Sequence, residues 1–172
     1  MERPSPLISV LGGQENVAIK LDWPDLLIDV TDEQFENWIG EWRGLVSGRA
    51  AVAFLNNFGV WFLRRPDGPV EMLDVFSGDI ERVTESYEAF VRNVNDRPWQ
   101  EVYLLSKLVY QLHEAGKIPG AGECYAIVPH AAFGGPNPMA DEPVRLEQVS
   151  VMSMLVWQSI CAQSVRGTVE GG

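Results

Sequence analysis

Residues 51–83 constrain the fold most, because short runs of β-branched and aromatic residues alternate there with turn signals. Turn signals are recognised by proline, which fixes φ, and by glycine, which accepts a positive φ. The alternation predicts an antiparallel β-meander with tight turns. The predicted strands cover residues 51–55, 60–63, 70–76 and 80–83, and the turns cover residues 56–59, 65–68 and 77–79.

Apolar residues at helical spacing predict helices on either side of this meander. Thr31 and Gln34 form a capping-box pattern, which predicts a helix from about Asp32 to Trp42. Thr84 is the predicted cap of the next helix, and one continuous helix is expected over residues 99–115, with Val102 on its buried face. Residues 150–163 are apolar almost all round and predict a helix buried against the sheet. Residues 123–128 are expected to add a further strand to the meander.

The whole pattern indicates an α+β fold with an antiparallel or mixed sheet packed against several helices. A chain of 172 residues with 46% hydrophobic residues is long enough for one core, so residues 1–172 are expected to form a single domain. Residues 1–30 are expected to be a loosely attached segment. The small, polar, glycine-rich residues 166–172 are expected to be a disordered tail.

The negative charge is concentrated near the start of the chain. Residues 1–41 hold nine acidic and two basic side chains, which is −7 of the net charge of −11. Such a surface disfavours direct nucleic-acid binding and suits a basic protein partner. We therefore predict that Asp29, Asp32, Glu33 and Glu36 bind a partner, the last three as an acidic ridge on the exposed side of the first helix. The alternative is that these carboxylates only keep the protein soluble.

The chain has few residues with obvious chemistry. His113, His130, Cys124 and Cys161 have no neighbouring ligand at metal-binding spacing, so neither a metal nor another cofactor is expected. Cys124 with His130 is the one pair that proximity suggests for nucleophilic catalysis, at a spacing that matches no known triad, and both cysteines are expected to be buried thiols. The remaining acidic candidates for acid–base chemistry are expected to be solvated: Asp74, Asp79, Asp141 and Glu142.

The cellular location is predicted from two missing signals. Residues 1–6 contain Glu2 and two prolines in place of a basic and then apolar leader, and the longest apolar run, residues 149–161, is too short to cross a bilayer. A cytoplasmic protein that does not bind membranes is expected.

Several short motifs resemble a known family. Residues 58–68 and 73–78 are similar to the pattern G-x-x-F-L-R-x-P-D-G followed by L-D-x-x-S-G of type VI secretion immunity proteins, and residues 120–125, 129 and 133–135 resemble that family's G-x-x-E-C-Y, P and G-G motifs. Together the motifs fall within residues 50–163 in the same order, whereas the proline-rich residues 137–143 depart from the pattern. The motif positions that carry the resemblance are Gly59, Asp67, Gly68, Asp74, Gly78, Gly122, Glu123, Cys124, Tyr125, Pro129, Gly134 and Gly135.

The resemblance implies a SUKH-like α+β protein of the cytoplasm that neutralises a secreted toxin, often a DNase, and it implies no catalytic residues. The favoured hypothesis is thus an immunity protein, the antitoxin partner and inhibitor of a basic nuclease. A second hypothesis is an adaptor or scaffold protein of the same fold that binds no toxin. The third and weakest is an enzyme with a site near Glu123, Tyr125 and His130, because no catalytic spacing supports it.

Overall fold

A five-stranded antiparallel sheet in the order β1-β2-β3-β4-β5 is the centre of the fold. The computed structural model describes residues 20–170, and of residues 168–170 it describes only the backbone. The strand order follows the sequence, so the predicted α+β fold and β-meander are confirmed. The strands are β1 (Leu27–Ile28), β2 (Ala51–Asn56), β3 (Trp61–Arg64), β4 (Val70–Leu73) and β5 (Ile80–Thr84).

Helices cover both faces of this sheet, as the central strand shows. Trp61, Phe62 and Leu63 of β3 are all fully buried, although successive side chains of a strand point to opposite faces. The helices are α1 (Trp23–Leu26), α2 (Asp32–Ile39), α3 (Tyr87–Val94), α4 (Arg97–Tyr103), α5 (Ser106–Glu114) and α6 (Met154–Glu170). Phe62 meets Phe90 of α3 and Trp99 of α4, whereas Trp61 meets Phe35 of α2 and Gln158 of α6.

The start of α2 agrees with the prediction from its sequence. Thr31 Oγ1 accepts a hydrogen bond from the backbone N–H of Gln34 at 3.2 Å, and Gln34 Oε1 accepts one from the N–H of Thr31 at 3.0 Å. The α-helix ends at Ile39, and a 3₁₀ turn, Gly40–Trp42, completes the predicted range. The cap of α3 was predicted wrongly: Ser86 Oγ accepts from the N–H of Ala89, and Thr84 is the buried end of β5.

The predicted continuous helix over residues 99–115 is wrong, because α4 and α5 are separated at Leu104 and Leu105. Leu105 adopts a left-handed conformation with φ 54°, which costs about 1–2 kcal/mol for a residue with a Cβ. The reversal lets both leucines enter the core, where Leu104 is 0% and Leu105 is 7% exposed. Val102, expected on the buried face, is 55% exposed. The side chain of Asn56 donates to the carbonyl of Tyr103 at 3.0 Å and so satisfies a backbone group at the end of α4.

The strand at residues 123–128 does not join the meander. It runs as β6 (Glu123–Ile127) and pairs in antiparallel fashion with β7 (Val149–Ser153), forming a separate two-stranded sheet. Residues 150–153, predicted as helix, therefore belong to a strand, and α6 begins only at Met154. The helix continues to Glu170, so the predicted disordered tail is wrong for residues 166–170, and residues 171–172 lie outside the described part.

The chain near the start of the described part is packed rather than loose. Leu21, Leu26 and Leu27 are at most 2% exposed, and β1 pairs with β2. The prediction of a loosely attached segment is thus wrong for residues 20–30, because these leucines belong to the buried core. Residues 1–19 lie outside the described residues. Within residues 20–170 no helix is both long and apolar enough to cross a membrane.

Candidate partner-binding face

The predicted acidic residues lie on the exposed side of α2 and, in the case of Asp29, in the segment just before it. Asp29, Asp32, Glu33 and Glu36 are all exposed, while Trp38 and Ile39 on the other side of α2 are buried. Glu36 pairs with the equally exposed Arg43, so part of its charge is neutralised locally. Asp32 and Glu33 lie in the first turn of the helix, where a negative charge is favourable beside the unpaired N–H groups.

Three of the concavities formed by residues 20–170 border α2, so this helix lies between grooves. The largest, of about 810 Å³, touches Phe35, Glu36 and Ile39. The second, of about 490 Å³, touches Gln34 and Trp38 and lies against residues 118–123. The third, of about 340 Å³, separates α2 from α6 and has Asn37 and Trp38 on the α2 side.

The far wall of the third concavity is an apolar patch on α6. Leu155, Val156 and Ile160 are 53%, 49% and 38% exposed, although the apolar residues 150–163 predicted a helix buried against the sheet. The exposure of this side has a geometric cause, because residues 149–153 form β7 and α6 begins only after them. One side of α6 then faces the core through Trp157, Gln158 and Cys161, and the opposite side is exposed to solvent. We call the α2 carboxylates together with these three apolar side chains the α2 face.

A buried glutamine holds α6 in place behind this face. Gln158 Oε1 accepts hydrogen bonds from the indole N–H of Trp42 at 2.7 Å and of Trp61 at 2.9 Å, and Gln158 Nε2 donates to the carbonyl of Gly59 at 2.8 Å. These bonds join α6 to the end of the α2 segment and to the sheet. At the surface, Arg166 of α6 pairs with Glu41 at 2.9 Å and so joins α6 to the 3₁₀ turn that follows α2.

The first group of motif positions has structural roles. A Cβ on Gly59 would lie 2.8 Å from Gln158 Nε2, and φ there is +81°, so this turn between β2 and β3 requires glycine. Asp67 and Gly68 lie in the turn between β3 and β4, and Gly78 lies before β5. Asp74, predicted to be solvated, is 7% exposed: its carboxylate accepts from the N–H of Phe76, from Ser77 Oγ and from Asn137 Nδ2. In this region the motif positions therefore form turns or, like Asp74, accept the hydrogen bonds that stabilise a turn.

The second group of motif positions surrounds β6. Gly122 precedes the strand, Glu123 Oε1 accepts from the N–H of Gly120, and the hydroxyl of Tyr125 donates to the carbonyl of Lys117 at 2.6 Å. Pro129 follows a cis peptide bond, and a Cβ on Gly135 would lie 1.7 Å from the carbonyl oxygen of Pro129. This close approach leaves room only for glycine at residue 135. Gly134 ends the 3₁₀ turn formed by residues 131–133.

The residues considered for catalysis are engaged elsewhere. His130 is 4% exposed; its Nε2 lies 3.0 Å from the carbonyl of Val75, and its Nδ1 accepts from the N–H of Ala132. These partners fit a neutral ring, and burial lowers the pKa of His130. Burial raises the pKa of the Cys124 and Cys161 thiols well above the usual range, so both stay protonated. Glu123 lies at the opposite end of β6 from His130, and no metal-binding cluster of three His, Cys, Asp or Glu side chains occurs within residues 20–170.

No family model matches the chain, and a search of curated proteins finds no match.

Proposed function

We propose that this protein is an immunity protein that binds a cognate secreted bacterial toxin in the cytoplasm and covers the toxin's active or substrate-binding surface. The proposed toxin is a basic nuclease, as expected of a type VI secretion DNase. A nuclease needs a positive surface to hold a polyanion. An acidic face on the inhibitor would compete for that surface directly and accelerate the encounter.

The observation that carries this proposal is the composition of the α2 face. The concavity between α2 and α6 has the three half-exposed apolar side chains on its α6 side and Asn37, Trp38 and Glu41 on its other side, and the exposed carboxylates of Asp32, Glu33 and Glu36 lie on the same helix as Asn37 and Trp38. Stable protein interfaces combine a desolvated apolar centre with a polar rim. The buried bonds of Gln158 support the face from behind, so a partner would meet a surface that is already ordered.

The test is to produce the protein together with the secreted protein encoded in the neighbouring reading frame, and to measure complex formation and growth. The wild type is expected to form a stable complex and to restore growth. Val156→Arg introduces bulk and a repelling charge at the apolar centre, and should weaken binding by about tenfold or more. Val102→Arg is the matched control, because Val102 is a similarly exposed helical valine that lines none of the three concavities.

Two results would contradict the proposal in different ways. If the wild type neither binds the neighbouring product nor restores growth, the immunity function is wrong and the adaptor function is favoured. If the Val156→Arg and Val102→Arg proteins bind equally well, the function stands but the α2 face is not the contact surface.

A further inference from the structure

The concavity of about 490 Å³ beside α2 combines carboxylates with indole rings. Its walls come from α1, β1 and α2, from the end of α5 and from residues 118–123. Among the described residues its lining includes three carboxylates and neither a lysine nor an arginine: Asp25, Asp29 and Glu123. We call this concavity the His113 cavity, after the histidine in its wall, and its size lies within the range of ligand sites.

His113 is a largely buried polar side chain without a hydrogen bond. The side chain is 10% exposed, and neither ring nitrogen forms a hydrogen bond within residues 20–170. Of the side-chain polar atoms in the described part of the chain that are fully buried without a partner, none belongs to His113, so both nitrogens can be reached from solvent. Buried polar groups normally have a partner, from protein, water or ligand. The ring of His113 therefore presents unpaired polar atoms to an occupant of the cavity that it lines.

The carboxylate of Asp25 faces this ring across a gap. Asp25 Oδ1 lies 3.9 Å from His113 Nε2, which is too far for a direct hydrogen bond. Asp25 Oδ2 accepts from the backbone N–H of Asp22 at 2.7 Å, a bond that does not neutralise the carboxylate. When the proton of the neutral ring is on Nδ1, Nε2 is an acceptor. A ligand with several N–H donors can then donate to Asp25 and to His113 at the same time.

The apolar part of the lining favours a guanidinium over an ammonium. Trp23 and Trp38 contribute indole rings, and Ile28 and the 56% exposed Ile118 add aliphatic surface. A guanidinium is planar, stacks on aromatic rings and presents several N–H donors in one plane. An ammonium is a compact charge that holds its water more strongly.

We propose that the His113 cavity binds the guanidinium of an arginine side chain of the partner protein. Asp25 pairs with its charge, His113 accepts one of its N–H groups, and the indole rings contact its plane. The identity of the partner rests on the proposed function, because a basic nuclease holds phosphates with arginine side chains. Recognition of a guanidinium is instead a property of the free chain. Gln34 and Trp38 of α2 line the cavity, so an arginine bound there fits docking at the α2 face.

The first experiment is a titration of the free protein with ethylguanidinium at constant ionic strength, followed by shifts of amide NMR signals. Saturable binding with a Kd of about 10 mM or tighter is expected, with shifts at residues of the cavity. Ethylammonium should bind more weakly, and the neutral ethylurea should not bind. No saturable binding of ethylguanidinium, or equal affinity for ethylammonium, would overturn the proposal.

Single variants locate the site. Asp25→Asn keeps an acceptor for the N–H of Asp22 and should weaken ethylguanidinium binding by about tenfold or more, because a charged acceptor is lost. His113→Phe keeps a ring of similar size and should weaken it by about threefold or more. Glu81→Gln removes one charge at an exposed position outside the cavity and should leave the affinity unchanged. Wild-type affinity in either cavity variant would overturn the assignment.

The complex with the neighbouring gene product tests the source of the guanidinium. Asp25→Asn should weaken that complex by about tenfold, whereas Glu81→Gln should not. Equal affinities of these two variants would show that no arginine of the partner fills the cavity, and the proposed function would stand. If the wild type does not bind the neighbouring product, the proposed function and this choice of partner both fail, and the titration of the free chain still decides whether the cavity recognises a guanidinium.

Discussion

Gln158 is a polar side chain in the most apolar part of the molecule, and its three hydrogen bonds leave none of its partners unpaired. It is 0% exposed and meets two indole N–H groups and one backbone carbonyl. A buried polar group is tolerated only when it is satisfied in this way. Because the partners come from two separate parts of the chain, Trp42 after α2 and residues 59–61 at the start of β3, the side chain also fixes the position of α6 relative to the sheet.

Gln158→Leu keeps most of the side-chain volume and removes all three bonds. We expect the free energy of unfolding to fall by at least about 3 kcal/mol, because each stranded group costs about 1–3 kcal/mol. Chemical denaturation measures the loss. Gln111→Leu, at an exposed position of α5, is the control and should change stability by less than about 0.5 kcal/mol. A loss for Gln158→Leu no larger than that of the control would show that the hydrogen bonds do not secure α6.

His130 predicts how stability depends on pH. Burial lowers its pKa in the folded protein below the usual value of about 6.5, so the unfolded chain takes up the proton first as the pH falls. The neutral ring therefore contributes its full stability above about pH 6.5, and that contribution declines as the pH falls toward the lowered folded pKa, by at most about 1.4 kcal/mol per pH unit.

His130→Gln keeps a donor for the carbonyl of Val75 and does not titrate in this range. The stability difference between wild type and variant should shrink as the pH is lowered from about 7.5 to about 5.5. Denaturation curves for both proteins at several pH values measure it. Parallel stability profiles would mean that His130 titrates with its ordinary pKa.

At the scale of elements, the sequence predicts what is decided locally. The turns of the meander contain glycine, proline or asparagine in the required places, and the capping box of Thr31 and Gln34 determines where α2 begins. These signals lie within four residues of the structures they determine, so they can be read without knowledge of the fold.

The elements that were predicted wrongly depend on distant contacts. The break at Leu105 is stabilised by burial of two leucines and by a bond from Asn56, 47 residues away from Tyr103. Residues 149–153 form a strand because β6 pairs with them, although their apolar pattern also fits a helix. The composition of the α2 face could be predicted only in part for the same reason: the carboxylates follow from helical spacing, whereas the exposed patch on α6 follows from where β7 ends.

On the scale of the whole molecule, charge is distributed unevenly around α2. Acidic side chains project from the helix, a concavity lined by Arg43, Arg49 and Arg65 lies along one side, and the apolar patch of α6 lies along another. A uniformly acidic surface would only improve solubility. A surface that combines both charges with an apolar centre can instead select one partner and one orientation.

The most direct measurement for the proposed α2 face is the association rate with the neighbouring toxin across a salt series. The test protein carries Asp32→Asn, Glu33→Gln and Glu36→Gln; the control carries Glu81→Gln, Glu114→Gln and Glu147→Gln, all at exposed positions outside the α2 face. Both remove three negative charges, and the melting temperature should change little, because exposed charges contribute little to stability.

We expect the α2 variant to associate more slowly than wild type at low salt and to depend less on ionic strength, because rim charges act mainly on the encounter. The control should keep a rate and a salt slope closer to those of wild type. Identical rates and salt slopes for the two variants would contradict docking through the acidic residues of α2, and the loop of residues 129–143 would become the next candidate surface.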